Sequence, residues 1–141
     1  MSNIYGKGNK GVATKLHSKI VRSLGYCERC DNRDYKKLQA AHIIGRKYGA
    51  TRTRLTNALC LCASCHAFFT DHPREFSKYI TTTWAQEFYQ HNFELTQINL
   101  KFGQKTYWLE ERNRLKDILK RIEKGESVKD IRLDEKHTLD I

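Results

Sequence analysis

The chain has 141 residues, with 26 lysines and arginines against 16 aspartates and glutamates, for a formal net charge of +10. The longest apolar run, residues 58–63, is far short of the roughly 18 residues that read as a membrane span. The opening residues hold no apolar h-region, so no signal peptide is expected and the chain is placed in the cytoplasm, a reducing compartment. Such a length suits one domain with a core that needs no disulfides. In that compartment the five cysteines point to metal binding or chemistry. The charge points to a polyanion, with nucleic acid first.

In chain order, residues 1–25 read as a basic arm and helix. Lys7, Lys10, Lys15, Lys19 and Arg22 meet no carboxylate before Glu28. The first eleven residues are Gly-, Asn- and Lys-rich and are expected to stay mobile until they meet a partner. Val12, Leu16, Ile20 and Leu24, with Val21 beside them, predict one helix face that Gly25 stops. Residues 26–80 hold β-like pieces over Leu38 to Ile44, a basic loop over Gly45 to Arg54, and helical spacing after Pro73 in Phe76, Tyr79 and Ile80. Residues 81–125 read as a helical part. Trp84, Phe88 and Tyr89 suggest one helix, 92–105 is ambiguous, and a strong pattern runs from Tyr107 to Lys124 with Thr106 as N-cap. Trp108, Leu115, Ile118, Leu119 and Ile122 share its apolar face, expected to be core or a homodimer contact. Glu110 and Glu111 are placed early, with charges on the other face. Residues 126–141 are left as a charged tail.

Cys27-Glu-Arg-Cys30 and Cys62-Ala-Ser-Cys65 form two C-x2-C pairs, 31 residues apart. Two thiolates spaced this way grip one ion from a tight turn, and two such turns complete the tetrahedron of a structural zinc site. Core cysteines, a redox pair or a disulfide pair are the competing readings. Cys60 is read as packed core, with a substitute ligand as its alternative.

Between and beside these pairs come His42, within Ala40-Ala41-His42-Ile43-Ile44-Gly45-Arg46, then Asn57, and then His66 directly after Cys65. The order resembles that of the zinc-containing HNH nucleases of the ββα-metal superfamily, over roughly residues 26–80. The wording of 38–46 and 65–73 is most similar to small phage-type HNH and recombination endonucleases. The resemblance implies an α+β fold, a ββα-metal core stapled by zinc with flanking helices, working in a bacterial or phage-infected cell. It also implies DNA phosphodiester hydrolysis, with His42 as general base, Asn57 bracing the loop that orients it, and His66 as a ligand of a catalytic Mg2+ or Mn2+. An unperturbed imidazole pKa near 6.5 suits the base role. The sequence departs from the pattern at Ala41, where many such proteins carry a metal ligand; His72 and Asp71 are the candidates to replace it.

Arg46, Lys47, Arg52 and Arg54 put four cations and no carboxylate into ten residues, a candidate DNA-binding loop beside His42. Arg46 leads, since a guanidinium fork matches a phosphate. The competing function is a zinc-stapled DNA-binding module without catalysis. An RNA role is the third reading, though no RNA-module signature is present.

Overall fold

The computed structural model describes residues 7–97 and 104–135. In chain order these form α1 (Gly8–Arg22), β1 (Leu38–His42), α2 (Gly49–Arg52), β2 (Ala58–Cys62), α3 (Ala63–Asp71), α4 (Pro73–Ile80), α5 (Gln86–Leu95), α6 (Gln104–Glu123) and α7 (Val128–Leu133). The architecture is α+β, with seven α-helices and one two-stranded antiparallel sheet among the described residues. No helix among them is long and apolar enough to cross a membrane.

β1 and β2 pair with Leu38 opposite Cys62, Ala40 opposite Cys60 and His42 opposite Ala58. Every residue of β2, Ala-Leu-Cys-Leu-Cys, is buried, as a short apolar run predicts for a strand covered on both faces. α1 and α3 both pack on the two strands, and α1 also runs along α6. β2 passes directly into α3, with Cys62 as its N-cap residue. The order strand, long loop, strand, helix is thus continuous from Leu38 to Asp71.

α1 starts at Gly8, so the segment expected to be mobile is helical from that point; residues 1–6 lie outside the described ones. Ile20 and Val21 are buried as expected and Leu16 and Leu24 pack partly buried against the core, while Ala13 and His17 complete the stripe in place of Val12. Val12 is 38% exposed and Leu16 half-buried. The stripe shifts because strands and α6 cover the helix together, and His17 belongs to that wider contact. Gly25 has φ +87°, a left-handed conformation that glycine adopts without a Cβ penalty.

α6 begins at Gln104, so Thr106 lies inside the helix rather than at its N-cap. Glu110 and Glu111 are then past the first turn. Trp108, Leu115 and Ile118 are buried as expected, with Leu119 and Ile122 packed against them. This face is covered within the chain, largely by α1, which leaves it no role as a homodimer contact. Glu111 falls at the same helical spacing as Trp108 and Leu115 and is 1% exposed, not on the charged outer face. Of the ambiguous stretch 92–105, residues 92–95 close α5 and 98–103 lie outside the described residues.

The charged tail contains a docked helix. Ser127 caps α7 by accepting the Lys129 N–H at 3.1 Å, and Val128, Ile131 and Arg132 are buried. Arg132 meets Glu28 at 2.9 Å and lies 4.0 Å over the Trp84 ring. Glu28 also accepts from Trp84 Nε1 at 3.0 Å and from the Cys60 N–H at 2.8 Å. A second buried network joins Arg114 to Glu111 at 2.8 Å and to Glu135 at 3.2 Å. Glu135 in turn accepts the backbone N–H groups of Leu55 and Thr56 at 2.7 and 3.0 Å. Residues 136–141 lie outside the described ones.

Candidate metal cage and histidine cleft

The two C-x2-C pairs meet. One ligand atom from each of Cys27, Cys30, Cys62 and Cys65 lies within 4.8 Å of the others, and Cys30 Sγ sits 3.6 Å from Cys62 Sγ. Zinc–sulfur bonds of about 2.3 Å in a tetrahedron put sulfurs about 3.8 Å apart, so the cluster could hold a structural metal such as zinc. Local chain geometry makes this cage. After Cys27 the backbone turns so that the Asp31 N–H reaches the Cys27 carbonyl at 2.8 Å, with Asp31 at φ +66°. Cys62 and Cys65 bracket the first turn of α3. Arg29 donates to Cys65 Sγ at 3.5 Å and lies 4.5 Å over the Phe68 ring. Four thiolates around a dication carry a double negative charge, which a nearby guanidinium offsets. None of the five cysteines is joined in a disulfide.

Cys60 stands outside the cluster. It is fully buried in β2 opposite Ala40, and burial, followed by the Glu28 carboxylate, pushes its thiol up to about 12. It is a neutral core residue, and its backbone N–H holds Glu28 in place.

Because Cys65 is fixed by the cage, the next residue is aimed by it. His66 lines a cleft of about 590 Å³ with His42, Gln39 and Arg46. α1 supplies Thr14, Ser18 and Arg22 to the same cleft, and Lys36 adds a third cation. No carboxylate is among its lining residues. His66 Nδ1 is 2.6 Å from Gln39 Oε1, and burial lowers the ring's pKa, which keeps it neutral near pH 7. His66 offers a single nitrogen donor with no carboxylate beside it, whereas Mg2+ and Mn2+ favour carboxylate and water oxygens.

His42 Nε2 lies 2.8 Å from the Arg52 carbonyl. A carbonyl only accepts, so Nε2 carries the hydrogen and Nδ1 is the unprotonated nitrogen. Burial first, and then the neighbouring His17, pushes the pKa of His42 down to about 3, not the unperturbed value expected from sequence. Arg46 and Arg52 add to that depression. The His17 ring is 5.1 Å from that of His42, is fully buried, and donates from Nε2 to the Arg54 carbonyl at 2.9 Å.

Asn57 is 1% exposed and binds the loop at both ends of its amide. Its Oδ1 accepts the Ile44 N–H at 2.9 Å, while Nδ2 donates to the carbonyls of Ile44 at 3.0 Å and Thr51 at 3.1 Å. Ile44 follows His42 and Thr51 precedes Arg52, so one side chain ties the base candidate's strand to the carbonyl that orients it.

No family model, curated protein or solved structure matches this chain.

The cationic loop divides. Arg46 and Lys47 are exposed, and Arg46 reaches the cleft. Arg52 is turned to internal work: Nε donates to Thr14 Oγ1 at 2.9 Å and Nη1 to the Arg46 carbonyl at 3.1 Å. Arg54 is 2% exposed, with Nε on Asn92 Oδ1 at 2.8 Å, and Glu135 3.9 Å from its Nη2. Arg54 is therefore a core cation and has no surface to offer DNA. His72 is also displaced from its expected role. It ends α3, donates from Nδ1 to the Phe68 carbonyl at 2.8 Å, stacks on Phe68 at 4.4 Å, and does not line the cleft. Six residues of helix carry it round from His66. Asp71 is likewise absent from the cleft lining. Ala41 is 2% exposed, a core position that could not present a ligand there.

Sequence reasoning passed over His17, Gln39 and Lys36. His17 had a readable signal, since it stands four residues after Ala13 and four before Val21 on the buried stripe. Gln39 and Lys36 had none.

Proposed function

We propose that this protein is a metal-dependent DNA endonuclease of the HNH type, hydrolysing phosphodiesters in duplex or branched DNA. One observation carries the reading: His42 and His66 share a single cleft whose charged lining residues, Arg22, Lys36 and Arg46, are all cations. A phosphate entering it meets positive charge on both sides, with no carboxylate to repel it.

In this mechanism His42 Nδ1 takes a proton from water. The resulting hydroxide attacks phosphorus, and the 3′-oxygen leaves with its electron pair. The depressed pKa of His42 keeps the nitrogen unprotonated throughout the neutral range, and the approach of a phosphate anion raises its basicity. Asn57 and the Arg52 carbonyl hold the ring so that the proton-bearing nitrogen stays Nε2. Arg46 and Arg22 neutralise the phosphates flanking the one that reacts. A divalent ion held through His66 would supply positive charge to the phosphate oxygens and to the leaving oxygen. The cysteine cage would take no part in chemistry; it fixes the first turn of α3.

The test is cleavage of supercoiled, linear and branched DNA, side by side, with Mg2+ and with Mn2+, by the parent and by His42→Ala. The expected result is cleavage by the parent, a loss of about 10²–10⁴-fold in the variant, and unchanged DNA affinity. A zinc-loaded parent that binds DNA but cuts none of these forms would be the zinc-stapled binding module instead.

A further inference from the structure

We propose that Tyr35 is a stacking platform for an unpaired base at the mouth of the histidine cleft, so that the cleft selects DNA with unpaired nucleotides, at a gap or a branch, over continuous duplex. The proposal rests on the DNA-acting reading above and needs no divalent ion.

Tyr35 is a large aromatic side chain left 48% exposed. Exposure alone says little, since single apolar residues are common on protein surfaces. Its position is what sets Tyr35 apart. Arg22 lies over the ring, with the guanidinium carbon 5.7 Å from the ring centre. Arg22 also lines the cleft, and so does Lys36, the next residue in the chain. Two cations of the cleft wall thus join the ring to it, one through space and one through the backbone.

The chain holds this ring on a fixed support. Tyr35 opens a short 3₁₀ turn, Tyr35–Lys37, that leads directly into β1. Asp34 caps the turn: its carboxylate accepts the Lys36 N–H at 3.2 Å and its carbonyl accepts the Lys37 N–H at 2.9 Å. Asn32 Oδ1 accepts the Asp34 N–H at 2.9 Å, and β1 enters the core at once with Leu38, which is buried. A platform supported this way has little backbone freedom to lose when a base settles on it. The carboxylate of Asp31, on the same loop, is paired with Arg33 at 3.0 Å.

Cations that follow a phosphate backbone, an exposed aromatic face and an arginine at that face are the means by which proteins hold single strands. The same arrangement sorts DNA forms. In continuous duplex each base is already paired and stacked on both sides, so offering its face to Tyr35 requires unpairing it first. A base in a gap or at a branch has no such cost. Its phosphates can lie against Arg22, Lys36 and Arg46 while its ring covers Tyr35.

The experiment is fluorescence anisotropy with the zinc-loaded full-length protein and no added Mg2+ or Mn2+. The probes are a labelled duplex, the same duplex with a gap of unpaired thymidines, and that gap with abasic sugars in place of the thymidines. The abasic gap keeps the phosphates and the flexibility but has no base to stack. The parent is expected to bind the thymidine gap about tenfold more tightly than the duplex or the abasic gap. Tyr35→Ala is expected to lose that preference with duplex affinity unchanged, and Tyr35→Phe to keep it. A parent without the preference overturns the proposal, as does a preference that survives in Tyr35→Ala or on the abasic gap. A parent that cuts no DNA yet shows the Tyr35-dependent preference ends the nuclease reading and leaves the platform standing; a parent that cuts DNA without the preference does the reverse.

Discussion

His17 makes the protein acid-sensitive in a way that can be calculated. The ring is fully buried, Nε2 donates to the Arg54 carbonyl, and Nδ1 has no hydrogen-bond partner. Protonating Nδ1 would bury a charge with nothing to accept its hydrogen. Burial, together with the positive charges of Arg114, Arg132 and Arg52 and against the Arg54 carbonyl bond, lowers the pKa from 6.5 to about 4. The sign follows from linkage. Below pH 6.5 the unfolded chain takes up a proton that the folded chain refuses, so stability is whole above that pH and declines as pH falls towards 4. Going from about pH 7 to about pH 5 removes about 2 kcal/mol through this one ring. His17→Gln keeps an N–H donor for the Arg54 carbonyl but cannot titrate. Urea unfolding of parent and variant, both zinc-loaded, at pH 7, 6 and 5 isolates the effect, because acid loss from the cysteine cage is common to the two. The variant starts from lower stability, since it packs less well, but its decline with acid should be shallower by about 2 kcal/mol. Parallel declines would refute the buried neutral histidine.

Three further outcomes are expected. Cys27→Ala, or removal of metal by a strong chelator, should lower the thermal midpoint sharply and release one zinc per chain, read by calorimetry with metal analysis; an unchanged midpoint in the metal-free protein removes the cage. Asn57→Ala strands the buried Ile44 N–H and carbonyl and takes one of its donors from the Thr51 carbonyl, and should cost about 3 kcal/mol in denaturant unfolding, with His42 losing its fixed tautomer in ¹⁵N spectra. Arg132→Met leaves Glu28 buried without its cation and should cost about 3–5 kcal/mol, whereas the double change Glu28→Gln with Arg132→Met should recover part of that loss; additive losses would show that the two side chains do not interact.

Much of the candidate site was legible early. The spacing of Cys27, Cys30, Cys62 and Cys65 was enough to predict one cluster, because a C-x2-C turn sets its two sulfurs by local geometry. His66 was placed by being next to Cys65, whereas the role of Asn57 was implied only by the family resemblance. The loop from Gly45 to Arg54 was read as one cationic surface, and here the residues part company. Arg46 reaches the cleft, whereas Arg54 is drawn inward by Asn92 and Glu135, partners 38 and 81 positions away. Nothing in a local window distinguishes those two arginines.

The same division runs through the whole chain. By itself the sequence determined the cysteine cluster, the apolar face of α6 and the strand that begins at Leu38. Each of these depends on spacing within a few residues or on a period repeated over several turns. The tertiary structure alone decided which polar groups are interior. His17, Arg54, Glu111, Arg132 and Glu135 are buried because distant partners satisfy them, and Arg132 finds Glu28 across 104 positions. The existence of α7 was settled the same way. A six-residue helix with one apolar face is too short to announce itself by period. It holds because Val128, Ile131 and Arg132 have a core to enter.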